Sequence, residues 1–275
     1  MTTTRIAPLD ELASALRGEL ITPDDPRYDE ARAVYNGMID KRPAAIARCR
    51  DVADVLACVR FGRDHDVTLS VRSGGHSAGG LGVWTDALVV DLSSMRSTTV
   101  DPEQRTVRVD AGATLGDLDH ATGAFGLAVP SGFIANTGIA GLALGGGVGY
   151  LTRRFGLTLD NLLAADVVLA DGTFVTASES ANPDLFWGLR GGGGNFGIVT
   201  SFTFRCHPVG EDGVIIGGPV LYDIADTPAV MRWYRELVPA LPEELNGWFG
   251  LITIPPAPPF PEELWGRKAC AIVWC

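Results

Sequence analysis

The stretch VRSGGHSAGG, residues 71–80, says most about the fold of this chain. An alternating strand ends at Arg72 and leads into a loop in which glycines flank His76. Consecutive N–H groups without side chains between them can converge on a phosphate, and Ser73, Ser77 and the cation of Arg72 add polar contacts. The loop therefore predicts a site for a pyrophosphate. The alternative is a surface turn that carries a solvated histidine.

The segments around this loop read as a mixture of strands and helices. A strand at residues 44–47, a helix capped by Asp51 and a strand at 67–72 have the order of a βαβ unit. Short strands and long glycine loops follow, rather than a second such unit. The remaining predicted elements are strands at 87–92, 106–109 and 198–204, a helix at 113–125 capped by Thr114, a hairpin at 167–177 that turns on Asp171-Gly172, and a helix opened by Asn182-Pro183.

Two further glycine-rich segments lie downstream, and neither fits a nucleotide motif on its own. The segment 137–150, TGIAGLALGGGVGY, lacks the Lys-Ser/Thr of a P-loop. Gly192, Gly194 and Gly197 spell a G-x-G-x-x-G, but they follow a helix and precede a strand. A dinucleotide site needs that pattern between a strand and a helix, so an NAD-dependent dehydrogenase is disfavoured.

Three segments together carry a family resemblance. VRSGGHSAGG, TGIAGLALGGGVGYLTRRFGLTLDNL and NPDLFWGLRGGGGNFGIVTSFTF occur in the order and rough spacing of one family. From about Arg42 to its end, the chain resembles the FAD-linked oxidases of the vanillyl-alcohol oxidase type, in the berberine-bridge-enzyme-like branch. The resemblance implies FAD as the cofactor. It also implies an α+β fold: a two-subdomain PCMH-type FAD-binding domain, with a small βαβ-containing subdomain and a mixed or antiparallel sheet with helices, followed by a truncated α+β substrate domain.

The resemblance assigns roles to residues of this chain. His76 matches the histidine that bonds the 8α-methyl carbon of the flavin, and the second, cysteine tether of some members would fall on Ile134. No cysteine lies between Cys58 and Cys206, so we expect one covalent link or none. The structural alternative for residues 136–147, which we call the second loop, is a packed turn. The structural alternative for residues 197–199 is an ordinary central strand. The implied cofactor-binding residues are Arg72, Ser73, Gly74, Gly75, His76, Ser77, Asn136, Thr137, Gly138, Gly141, Gly145, Gly146, Gly197, Ile198 and Val199.

The resemblance also implies an activity. Relatives of this type oxidise an alcohol, or a C–H bond beside a heteroatom, by hydride transfer to the flavin, which O2 then reoxidises. A small-molecule substrate, such as an alcohol or a sugar, and O2 are thus the implied partners. No catalytic base is identified, because this chain has Val148 where many relatives have a tyrosine, and Tyr150 would face elsewhere. Of the other candidates, Asp160-Asn161 is equally well explained by a turn, and His65, His120 and His207 are expected at the surface.

We expect three segments along the chain. Residues 1–36 are a polar lead-in with a helix at 9–18, residues 37–210 are the FAD-binding domain, and residues 211–275 begin a substrate domain near Gly213. That last segment holds a helix at 229–238 and a strand at 268–275, which we expect to end as an unpaired edge. A chain cut short there would lack part of its substrate domain. A catalytically incompetent FAD-binding fragment is therefore the second hypothesis.

The composition limits the partners and the compartment. A net charge of −11 disfavours nucleic acid and anionic membranes as partners. Five cysteines without metal spacing indicate buried or incidental thiols of a reducing compartment, and no metal site. No apolar run has the length of a signal peptide or a membrane span, which predicts the cytoplasm. The oligomeric state stays open.

Overall fold

A computed structural model of the chain describes residues 8–210 and 215–275. The described helices are α1 Leu9–Ala15, α2 Tyr28–Arg32, α3 Val52–Asp64, α4 Leu115–Gly123, α5 Ile139–Leu144, α6 Thr152–Phe155, α7 Pro183–Leu189 and α8 Thr227–Leu237. The described strands are β1 Glu19–Ile21, β2 Ala45–Arg48, β3 Leu69–Arg72, β4 Leu88–Asp91, β5 Thr98–Asp101, β6 Thr106–Asp110, β7 Leu127–Ala128, β8 Leu162–Val168, β9 Phe174–Ser178, β10 Ile198–Arg205, β11 His207–Pro208, β12 Gly218–Asp223, β13 Gly247–Thr253 and β14 Lys268–Trp274.

The first sheet carries the glycine loop at the end of one of its strands. Its order is β1-β2-β4-β3, and both β2 and β3 run parallel to β4. The Asp51 carboxylate caps α3 by accepting hydrogen bonds from the N–H groups of Ala53 and Asp54. The predicted strand–helix–strand order is confirmed, although β4, which follows the glycine loop, lies between the two strands. The loop therefore leaves the carboxyl end of β3 at the edge of a mostly parallel sheet.

The segment before β2 differs from the expected polar lead-in. β1 extends the first sheet antiparallel to β2, and Ile21 is fully buried. Tyr28 of α2 is 4% exposed, and its hydroxyl donates to the carbonyl oxygen of Pro43 over 2.5 Å. The expectation of a segment without core residues is therefore wrong for residues 19–32. Elements of three and five residues are too short to show a periodic pattern, which is why the sequence did not reveal them.

The second sheet lies against the first through one continuous apolar core. Its order is β5-β6-β10-β8-β9, with every pair antiparallel. The predicted hairpin is confirmed as β8 and β9, and Gly172 in its turn has a φ of +82°. The predicted helix after Thr114 is α4, and Thr114 and Asp117 form a capping box. Two sheets of different type, with helices between and around them, give the predicted α+β, two-subdomain architecture.

The third sheet is small and belongs to the last part of the chain. Its order is β12-β14-β13, and α8 packs on it through Val230. The expected unpaired edge at residues 268–275 is wrong, because β14 is the central strand with a partner on each side. The expected boundary near Gly213 lies outside the described residues. Within the described ranges, the helices are too short or too polar to cross a membrane.

Candidate functional site

The first and second glycine loops touch backbone to backbone. A Cβ added at Gly74 would lie 2.3 Å from the amide nitrogen of Gly138, and one added at Gly138 would lie 2.5 Å from the amide nitrogen of Gly74. Beside them, the Ser73 hydroxyl donates to the carbonyl oxygen of Ala111 over 2.6 Å. Glycine is thus required at both positions by the chain's own packing. The contact brings residues 73–77 and 136–138, far apart in sequence, into one site.

His76 lies half-buried on this contact, held from two directions. The ring of Tyr35 stacks on the imidazole with 4.2 Å between the ring centroids and 16° between the planes. The Thr137 hydroxyl oxygen lies 3.5 Å from Nδ1 of His76. Of the other first-loop residues, Gly75 has a φ of +71°, and Ser77 accepts a hydrogen bond from the N–H of Leu81 over 3.3 Å. The site therefore presents His76 as an oriented ring rather than a solvated one.

Arg72 does not offer a free charge to this site. Its guanidinium donates to Oδ2 of Asp91 over 2.5 Å and to the carbonyl oxygens of Ala31 over 2.5 Å and Ala33 over 3.3 Å. Arg72 is 8% exposed and Asp91 is fully buried. A buried carboxylate needs a counter-charge, so Arg72 and Asp91 form a buried ion pair. Arg72 also lines the cavity described below, as a paired rather than a free cation, and it holds the start of the loop against β4 and α2.

A cavity of about 300 Å³ lies beside the first loop. Residues 73–75 of that loop and Asn136 of the second line it together. Arg48, Arg72, Arg96 and Glu30 also line the cavity. Each of the three arginines is paired with a carboxylate, since Arg48 lies 3.6 Å from Asp91 and Arg96 donates to Asp117 over 2.6 Å. The cavity combines open glycine backbone, an amide side chain, three arginines and one glutamate. This set of donors suits an anionic group such as a phosphate.

The second loop presents open backbone along α5. Gly141 lies in this helix with its Cα exposed, and an added Cβ there would meet no protein atom within 4 Å. Gly145 is also exposed at the end of α5, and Gly146 follows with a φ of +122°. The chain's own packing therefore requires no glycine at Gly141. Backbone left bare in this way is the cradle that a flat cofactor needs for close approach, so these residues fit an FAD.

The third glycine segment leads into β10. Gly197 has a φ of +141°, and a Cβ there would lie 2.7 Å from the carbonyl oxygen of Val168. Ile198 and Val199 are buried and pair with the end of β8, so they lie in a central strand, as the structural alternative predicts. On the other side of β10, the register with β6 begins only at Ser201. In the part of the chain that the structure describes, the first residues of β10 thus have a strand neighbour on one side only.

His207 is not a surface residue, contrary to expectation. It is half-buried, it stacks on Phe155 at 4.1 Å, and its Nε2 lies 2.6 Å from Oδ1 of Asn161. The Asn161 amide nitrogen donates to the carbonyl oxygens of Phe155 and Leu157, both over 2.9 Å. That orients Oδ1 towards the ring, so Nε2 of His207 carries the proton. Burial, helped by nearby arginines, lowers the pKa of His207 below its ordinary value. Asn161 accordingly has the structural role of a turn.

An aromatic cluster lies where the second loop meets the third sheet. The ring of Phe133 packs edge-on against Tyr150 at 4.8 Å and against Trp248 at 4.6 Å. Within the described ranges, the buried indole N–H of Trp248 has no hydrogen-bond acceptor. Ile134 is 56% exposed next to this cluster, and Val148 is 42% exposed. The position expected to correspond to a second tether is thus an accessible aliphatic residue beside aromatic rings.

Sequence reasoning missed three kinds of residue in this site. Tyr35 lies in the segment predicted to be a lead-in, Arg48 and Arg96 belong to no motif, and Trp248 lies in a stretch without one. Tyr35 had no usable signal either, since a single aromatic residue in a polar stretch is common at a protein surface. The cations and the tryptophan reach the site through chain folding alone.

Comparisons with known proteins agree with this geometry. Residues 43–178 match the family described as FAD binding domain. The chain is 41% identical to (R)-6-hydroxynicotine oxidase of Paenarthrobacter nicotinovorans over 214 residues, which cover 77% of this chain and 47% of that protein. It is 38% identical to xylooligosaccharide oxidase of Thermothelomyces thermophilus over 202 residues, 72% of this chain and 41% of that protein. The structure of Physcomitrella patens BBE-like 1 superposes with a TM-score of 0.83 at 29% identity, over 97% of this chain and 56% of that one. The chain spans about half the length of the curated relatives it matches.

Proposed function

We propose that this protein is an FAD-dependent oxidase of a small molecule, because residues 43–178 match an FAD binding domain and the relatives of the chain include an FAD-linked oxidoreductase and an oxidase. The observation that carries the proposal is the contact of two glycine loops at His76, next to a helix whose Gly141 leaves backbone open. When bound, FAD supplies the two-electron chemistry. The chain's residues bind it, orient it and exclude water around it.

Each predicted segment has a part in holding the cofactor. The open backbone of Gly74, Gly75 and Asn136, with the cations at the 300 Å³ cavity, receives the anionic part of the cofactor. Residues 141–146 lie along its flat part. The backbone of Gly197, Ile198 and Val199 meets the adenine edge on the side of β10 that β6 leaves free. Ser73 and Thr137 hold the two loops in position, and Arg72 holds the start of the first loop through its ion pair with Asp91.

We propose that His76 is the single covalent anchor of the flavin. It is half-buried, oriented by two neighbours and next to the open glycine backbone. Ile134 occupies the second position and has no nucleophilic atom, which supports one link rather than two. The test is acid precipitation of the purified protein. We expect a yellow, fluorescent pellet, and a colourless pellet from protein that binds FAD would contradict the anchor.

The names of two relatives indicate a substrate class. One is named for the oxidation of a hydroxylated nicotine and the other for the oxidation of an oligosaccharide, and both kinds of molecule contain a carbon beside nitrogen or oxygen from which a hydride can be removed. We propose an alcohol, sugar or amine as substrate and O2 as acceptor. Stopped-flow mixing with a panel of these substrates, followed at the flavin absorbance, is the test. Reduction by none of them would favour the second hypothesis, an FAD-binding chain without turnover.

The remaining assignments are proposals of the same kind. We propose that residues 37–210 form the FAD-binding domain and that the third sheet with α8 begins the substrate domain. The aromatic cluster of Phe133, Tyr150 and Trp248 lies where the two meet, which supports a substrate site there. The five cysteines carry free thiols, which supports a reducing compartment such as the cytoplasm.

A further inference from the structure

Residues 33–41, which belong to the connection between α2 and β2, lie across the first glycine loop. We call these residues the strap. The Tyr35 N–H donates to the carbonyl oxygen of Gly75 over 3.1 Å. The Asn36 side-chain amide donates to the carbonyl oxygen of Ala78 over 3.0 Å, and the Lys41 ammonium donates to that of Gly80 over 3.2 Å. The strap thus contacts the loop on both sides of His76.

The loop needs such support. Gly75 and Gly80 have φ values of +71° and +66°, and a glycine-rich segment loses more conformational entropy on ordering than any other. The backbone contacts of the strap fix the path of the loop. They do not fix the rotation of the His76 ring, because none of them reaches its side chain.

Tyr35 supplies the missing constraint. Its ring lies 4.2 Å from the imidazole and nearly parallel to it, while the Thr137 hydroxyl lies 3.5 Å from Nδ1. One contact sets the plane of the ring and the other sets which edge faces the second loop. Tyr35 is itself 70% exposed, so its side chain adds little to the core. Among the described aromatic pairs, its partner is His76.

We propose that Tyr35 is a positioning residue: its ring holds the His76 imidazole in the orientation from which it becomes attached to the flavin. This inference rests on the proposed function. In the attachment, an N–H bond of His76 and a C–H bond of the flavin's 8α-methyl group break, and one C–N bond forms. The two electrons and two protons released reduce the flavin, and O2, the acceptor proposed above, reoxidises it to give H2O2. Orientation of the nucleophile is the part of this step that the chain controls.

The test measures attachment separately from binding. Flavin-free protein of full length is mixed with FAD, and the fraction carrying the covalent adduct is followed over time by intact-protein mass. Tyr35→Leu is expected to slow attachment about 3- to 10-fold, the range that corresponds to loss of one ring–ring contact. Tyr35→Phe keeps the ring face and is expected to stay within about twofold of the wild type. Met38→Ala is the matched control, because Met38 lies in the same strap and is 88% exposed.

A second measurement distinguishes positioning from general support of the fold. In a His76→Ala background, where no link can form, Tyr35→Leu is expected to weaken FAD binding by a smaller factor than the one by which it slows attachment, because Tyr35 contributes only part of the lining of the 300 Å³ cavity. Attachment at the wild-type rate in Tyr35→Leu would overturn the inference, as would a Phe variant as slow as the Leu variant. If Tyr35→Leu weakened FAD binding in the His76→Ala background by as large a factor as it slows attachment, the inference would also be overturned. Tyr35 would then support the site as a whole. Wild-type protein that binds FAD but never forms the adduct would refute the proposed anchor itself.

Discussion

Replacement of Gly141 by alanine separates the demands of the fold from those of the cofactor. Gly141 lies inside α5, exposed, and a Cβ added to it would meet no protein atom within 4 Å. A glycine inside a helix costs about 0.5–1 kcal/mol relative to alanine. Because nothing opposes the added methyl group, Gly141→Ala should stabilise the flavin-free chain by about that amount. For a chain of this size, that corresponds to a rise in Tm of roughly 1–4 °C.

The same methyl group should harm FAD binding. If the cofactor lies on the bare backbone of α5, the added carbon occupies its van der Waals surface. Overpacking of a tight contact costs about 1–3 kcal/mol, which corresponds to a Kd for FAD weaker by about 5- to 150-fold. Stability and affinity thus change in opposite directions at this one position.

Gly138→Ala is the contrasting variant. Its Cβ would lie 2.5 Å from the amide nitrogen of Gly74 and 2.6 Å from the hydroxyl oxygen of Ser73, so one of the two loops must move. The φ of Gly138 is −72°, which alanine adopts freely, and the whole cost is therefore steric. We expect a loss of about 1–3 kcal/mol in the free energy of unfolding, together with weaker FAD binding.

Urea unfolding of the flavin-free proteins and titration with FAD, followed by quenching of flavin fluorescence, measure both quantities. A Gly141→Ala protein that binds FAD as tightly as the wild type would refute the placement of the cofactor along α5. A Gly141→Ala protein less stable than the wild type would refute the packing argument, because it would mean that the added carbon meets protein.

Three further predictions concern other parts of the site. His76→Ala should give a colourless acid pellet while the native protein still binds FAD reversibly; a yellow pellet would place the link elsewhere. Asp91→Asn leaves Arg72 buried without a counter-charge and should cost about 3–5 kcal/mol in urea unfolding, whereas a loss below about 1 kcal/mol would mean that the α2 carbonyl groups suffice. Burial lowers the pKa of His207 in the folded state, so the unfolded chain takes up the proton first and stability falls as the pH drops through the unfolded value of about 6.5. His207→Gln should therefore lose less unfolding free energy than the wild type when the pH falls from about 7.5 to about 5.5, and an equal loss would contradict the assignment.

The elements with strong local signals were predictable. Asp51 and Thr114 cap α3 and α4 as expected, and Asp171-Gly172 turns the hairpin, because each signal acts within a few residues of chain. The sequence also revealed that the G-x-G-x-x-G at Gly192 lies between a helix and a strand, in the order α7 to β10. Short elements were missed for the opposite reason. β1 and α2 owe their burial to the sheet they join and carry no periodicity of their own.

The sequence alone was enough to identify His76, the three glycine segments and their likeness to an FAD-linked family, since these are properties of residue order. It also predicted that a second, cysteine link is absent, because no cysteine lies between Cys58 and Cys206. Only the tertiary structure could decide what each polar group bonds to. Arg72 was expected to supply a cation at the phosphate site, and the structure adds that its guanidinium pairs with Asp91, because β3 and β4 lie side by side. Gly74 and Gly138 must both be glycine because their backbones touch, whereas a side chain at position 141 would meet no protein atom. Tyr35 stacks on His76, which lies 41 residues further along the chain, and no local pattern indicates that contact. Such contacts depend on which distant segments pack together, and the physical reason is that packing is set by the whole core rather than by neighbours in sequence.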